Sequence, residues 1–98
     1  MKYTLRVVPS VTREARLIYL YREKHQGKGS GDRFIKALGE CYGRILAHPH
    51  GYQVRKEPFR HAMLRRLKYR VVYKVEGHLV SVVQVRHTSR RGSRKFGP

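Results

Sequence analysis

Hydrophobic positions recur along this chain in two rhythms, helical in the first half and strand-like in the second. Tyr3 to Val8 is a short run of β-formers, and Pro9-Ser10 then supplies a break and a candidate helix N-cap before VTREARLIYLYREK. From about Asp32 to Ala47, Phe34, Leu38, Cys41 and Ile45 recur at spacings of four, three and four, which places them on one face of a second helix. Asp32 or Ser30 is placed to cap its start. His48-Pro49-His50-Gly51 marks its end, because the residue before a proline is pushed out of the helical region and glycine suits the turn. From Phe59 onward the period shortens to that of a strand. The pattern predicts one strand from Phe59 to Lys68, a second from Tyr69 to Val75 and a third from Leu79 to Arg86, with Glu76-Gly77-His78 as the tight connection between the last two. The expected order is β-α-α-β-β-β. That is an α+β domain in which two N-terminal helices cover one face of an antiparallel sheet, mixed at its edge, and leave the other face partly open.

With 98 residues, 40% of them hydrophobic, the chain has room for one domain, 1–98, and one modest core. The only linker-like stretch, His25-Gln26-Gly27-Lys28-Gly29-Ser30-Gly31, is short enough to join neighbouring helices and reads as a flexible hairpin. Charge changes the picture more than length does. The net charge of +17 comes from 23 Lys and Arg against 6 Asp and Glu, far beyond what solubility asks for, and it implies a polyanionic partner. Residues 1–54 hold 10 basic and 4 acidic side chains, whereas residues 55–98 hold 13 and 2, so the functional face is expected in the C-terminal half. Residues 91–98, with Gly92, Ser93, Gly97 and Pro98 among the cations, read as a flexible basic tail. No run approaches the ~18 apolar residues of a membrane span, and MKYTLRVVPS is too short and polar for a signal peptide, so the expected compartment is the cytoplasm. The single cysteine, Cys41, fits a reducing compartment and reads as a small buried hydrophobe on a helix.

The cations that an open sheet face and tail would offer to a target or nucleic acid are Arg60, His61, Arg65, Lys68, Lys74, Arg86, Arg91, Arg94 and Lys95, with Phe96 as an aromatic contact. Tyr3, Tyr42, Tyr52, Tyr69 and Tyr73 would serve a nucleic-acid module as stacking platforms, although tyrosines at strand spacing more often pack in a core. His61, His78 and His87 read equally as polar positions of an exposed face. His48-x-His50 is the only close pair of metal-ligand types, and the glycines at 27, 29 and 31 do not follow a strand as a phosphate-cradling loop would. Neither a metal, a cofactor nor a small-molecule substrate is expected.

The order of elements, the segments SVTREARLIYLY and FIKALGECYGRILAHPHG, and above all LKYRVVYKVEGHLVSVVQVRHTSRR resemble the RelE/ParE superfamily of toxins from type II toxin-antitoxin systems. The resemblance covers nearly the whole chain. It implies an acidic antitoxin as partner, and one of two activities. RelE-like members cleave mRNA on the ribosome, and their catalytic arginines fall on Arg70 and Arg90, with His87 or His61 the candidates for proton transfer. Their C-terminal tyrosine falls on Phe96, which has no hydroxyl, and their lysine pair falls near Arg60 and Ala62, so the nuclease constellation is incomplete. ParE-like members poison DNA gyrase. Their final strand is similar to the Val82-Val83-Gln84-Val85-Arg86-His87 run here, followed by Arg90 and an aromatic-ended tail. The ParE-like reading is preferred, with the ribosome-dependent endonuclease as alternative and a non-catalytic RNA-binding or ribosome-associated module as a third. Arg70→Ala and Arg90→Ala are each expected to weaken toxicity.

Overall fold

A computed structural model describes residues 2–90, 92 and 94–98. Seven elements follow in chain order: β1 (Thr4–Val7), α1 (Pro9–His25), α2 (Ser30–Ala47), β2 (Gln53–Lys56), β3 (Phe59–Met63), β4 (Tyr69–Glu76) and β5 (Leu79–His87). The strands form one sheet in the order β1-β5-β4-β3-β2. β1 runs parallel to β5, and the other neighbours are antiparallel. The molecule is thus the expected α+β domain with a mixed edge, enlarged by one strand. Gln53-Val54-Arg55-Lys56 carries one apolar residue and is mostly exposed, which suits the edge strand it forms and gives little period-two signal. β3 is shorter than predicted. It stops at Met63 because the chain turns back through Arg66, at φ 66°, and Leu64 N donates to Tyr69 O at 3.0 Å to close the hairpin.

The α2 stripe lands as its spacing predicts: Phe34, Leu38, Cys41 and Ile45 are all buried, facing Val11, Ala15 and Ile18 of α1 and Ala62, Val71, Tyr73, Val80, Val82 and Val85 of the sheet. Two tyrosines belong to this core. Tyr69 packs on Phe34 with ring centroids 5.0 Å apart, and the Tyr73 hydroxyl donates to Pro49 O at 2.5 Å, pinning the turn after α2.

Both helix starts differ from expectation. Pro9 is itself the first residue of α1, and Val8 precedes it with no side-chain cap, so Ser10 lies inside the helix. Proline needs no donor partner there. At α2 the left-handed residue before the helix is Gly29, at φ 91°, and neither Ser30 nor Asp32 caps. Ser30 is spent on the connection. Its Oγ lies 2.6 Å from both Arg22 O and Gly27 O, while Arg22 Nε donates to Ser30 O at 2.9 Å and Gly31 N donates to Glu23 Oε2 at 2.8 Å. The expected flexible hairpin is a clasp, with Arg22, Ser30 and Gly31 buried.

Candidate functional site

The sheet face away from the helices is built by the alternation of β3, β4 and β5. Val72 is fully buried yet stands apart from the helix-side core, so it marks this second face. Arg70 shares that face, and in the β4–β5 register it lies directly opposite Arg86. His61 pairs with Val72 from β3 and reaches diagonally to Arg70. Three strands therefore converge two guanidinium groups and an imidazole. Arg86 is 2% exposed and His61 7%, so the cluster is set into the molecule rather than spread over it. Like charges directly opposite across strands are unfavourable, and burial adds to the cost. Desolvation pushes both guanidinium pKa values down, with Arg55 adding to the effect on Arg70, and Arg70, Arg90 and Arg55 adding to it on Arg86.

The tautomer of His61 follows from its partners. Arg70 Nη1 stands 3.1 Å from Nδ1, and because a guanidinium only donates, Nδ1 accepts. Nε2 then carries the hydrogen and donates it to Phe96 O at 2.8 Å. The ring is neutral in this arrangement. Burial lowers its pKa, Arg70, Arg86 and Arg55 lower it further, and the Phe96 carbonyl opposes them.

The chain's own tail lies on this cluster. Arg86 Nη2 donates to Gly97 O at 3.4 Å and to Pro98 O at 3.1 Å, and Arg70 Nη1 donates to Pro98 O at 3.2 Å. The Phe96 ring meets Phe59 edge-on at 4.9 Å, and Lys56 Nζ donates to Arg94 O. Gly97 sits at φ +95°, where a Cβ would come within 3.0 Å of Lys56 Cβ and 3.1 Å of Arg55 Cβ, so glycine alone fits without strain.

The other sequence candidates are distributed differently. His87 pairs with Tyr69, on the face opposite to Arg70; it packs edge-on to that ring at 5.1 Å, and its Nδ1 lies 2.7 Å from Ser89 Oγ. Together with Glu14, Tyr21, Tyr69 and Arg86, His87 and Arg90 line a pocket of about 350 Å³ at the end of β5. Arg60 donates to His50 O at 3.1 Å and Tyr52 O at 2.7 Å, holding the loop before β2. Arg65 lies beside Glu40 of α2, and Lys74 pairs with Glu76 at 3.3 Å. Lys68, Arg94 and Lys95 are exposed, the last with its Nζ 5.4 Å from the Phe96 ring centroid, and Arg91 lies outside the described residues. Arg55 and Lys56 were missed because β2 was missed. Among the described residues no group of three or more His, Cys, Asp or Glu is placed to hold a metal ion.

Chemically, the cluster is suited to hold negative charge and poorly suited to move protons. His61 Nδ1 is already engaged by Arg70, Phe96 brings only a carbonyl and a ring, and His87 stands across the sheet.

Comparison with known proteins adds to this picture. No curated protein matches the sequence. Among solved structures, a chromosomal ParDE toxin–antitoxin system from P. aeruginosa has a chain that superposes with a TM-score of 0.77 at 15% identity, over 88% of this chain and 96% of that one. That likeness shows the fold. The E. coli toxin RelE is similar at a TM-score of 0.57, in a double arginine-to-alanine mutant in the free state at 26% identity over 87% of this chain and 82% of that one, and as the isolated toxin at 24% identity over 91% and 87%. The model of the ParE toxin of type II toxin-antitoxin system, parDE, matches residues 5–92. With nearly the whole domain matched, from β1 through β5, this chain belongs to the ParE toxin family of type II toxin-antitoxin systems.

Proposed function

We propose that this ParE-type toxin arrests growth by poisoning DNA gyrase, and that it does so by binding rather than by cutting nucleic acid. The observation that supports this most directly is the split between charge and proton transfer. Arg70 and Arg86 face one side of the sheet and His87 the other, and the position where RelE-like nucleases carry a tyrosine hydroxyl is Phe96, turned against Phe59. Cleavage of RNA by its own 2′-OH needs a base, an acid and phosphate stabilisation within reach of one phosphodiester. Binding needs only the complementary surface.

The test is a supercoiling assay with purified gyrase. Addition of the protein should inhibit supercoiling and accumulate gyrase-cleaved DNA; unaltered supercoiling with no cleaved product would sink the reading. The 26% identity with RelE supports a second one, ribosome-dependent mRNA cleavage. Primer extension on translating ribosomes would then reveal new 5′ ends in A-site codons. The cognate antitoxin that a type II system implies is proposed to bring an acidic, partly disordered segment that folds over the basic sheet face.

A further inference from the structure

A single oxygen, that of Pro98, accepts from both Arg70 and Arg86, at 3.2 and 3.1 Å. It marks where an anion would sit. Around that point the donors come from different strands: Nη1 of Arg70 on β4, Nη2 of Arg86 on β5, and His61 on β3 one contact away. Arg70 Nε is in addition buried with no hydrogen-bond partner among the described residues, a donor still to be satisfied. A planar carboxylate is matched by one guanidinium fork, whereas a tetrahedral oxyanion accepts from several directions at once. The tail meets this demand only in part: Phe96 and Gly97 bring carbonyl dipoles, and the Pro98 oxygen that both guanidiniums share leaves Arg70 Nε without a partner among the described residues.

We propose that Arg70, Arg86 and His61 form a binding site for a phosphate-class oxyanion, and that residues 96–98 are a strap whose main-chain oxygens hold the site until the ligand displaces them. The site is independent of whether gyrase or the ribosome is the target. Its hinge is built for release. Gly97 takes the positive φ that folds the strap down, and a side-chain anchor is the aromatic pair of Phe59 with Phe96. Occupied by the strap, the site binds its ligand with an affinity reduced by the fraction of time the strap is down.

The experiment is an NMR titration of the full chain with inorganic phosphate and, separately, with dimethyl phosphate, each against sodium chloride at equal ionic strength. Phosphate should shift the His61 ring signals and the Phe96 and Gly97 amides together. Gly97→Val, which cannot fold the strap down, should show the same His61 shift at about tenfold lower phosphate. Phe96→Ala loosens the strap without backbone strain and should move the midpoint the same way. Arg70→Gln should remove the response while the Tyr73 ring signals report an intact core. A stronger response to dimethyl phosphate would identify the diester of a nucleic-acid strand as the source, and a stronger response to inorganic phosphate a free or terminal phosphate. His61 shifts no larger than those from chloride would overturn the site, and an unchanged midpoint in folded Gly97→Val and Phe96→Ala would overturn the strap.

Discussion

His61 is held neutral by burial and by Arg70, Arg86 and Arg55, and this has a consequence for stability. An unfolded histidine titrates near 6.5, whereas the folded ring takes up its proton only at lower pH, so in mild acid the unfolded chain binds more protons. The stabilisation is fully present above about pH 6.5 and is lost as pH falls through that value toward the folded pKa. Urea midpoints at pH 7.5 and 5.5 should therefore fall less steeply in His61→Asn than in the parent chain. At Tyr73 the hydroxyl is buried on Pro49 O, and burial drives its pKa well up. Tyr73→Phe should cost about 0.5–1.5 kcal/mol in chemical denaturation, the net value of one hydrogen bond, and leave Pro49 O to find water. At this scale the sequence was partly legible. Cys41 and Tyr69 sit in the core as their spacing implied, but nothing in the local pattern says that His61 and His87 point to opposite faces, since they lie on different strands whose register is set elsewhere.

Among the elements, the helical hairpin is the most closely fitted. A Cβ at Gly31 would lie 2.6 Å from Tyr19 Cδ2 and 2.8 Å from Tyr19 O, so α1 and α2 approach there with no space for a methyl group. Gly31→Ala should destabilise by about 1–3 kcal/mol through overpacking, read as a lower urea midpoint with unchanged slope. β4 and the turn after β5 carry the growth-arrest prediction. Arg70→Ala and Arg90→Ala should each weaken toxicity on induced expression, and arrest equal to the parent's by both variants would remove them from the site. Long periodic elements were legible here, as α2, β4 and β5 were. β2 was not, because an exposed edge strand needs only one inward residue, Val54. The tail was read from its composition alone, and the arginines that donate to its oxygens lie on strands some ten to thirty residues away.

For the whole molecule, the net charge of +17 is the property that other macromolecules meet first. Association with an acidic antitoxin segment should be steered electrostatically and should slow by at least about tenfold between 50 and 500 mM salt, with a much smaller change in dissociation, as stopped-flow mixing would measure. Equal association rates across that range would assign recognition to apolar contacts instead. No helix among the described residues is long and apolar enough to cross a membrane.

The sheet order sets a condition on how this molecule comes into being. Among the described residues β1 pairs with β5 alone, with Thr4 opposite Leu79, so this strand waits for one made some seventy-five residues later. Until then the apolar sides of both helices face a half-built sheet, and such non-local closure is intrinsically slow. The arginine cluster, which draws on β4, β5 and residues 97 and 98, is likewise assembled only after those segments have been made. Closing of the sheet and of the cluster should therefore trail the synthesis of β5, and toxicity with it.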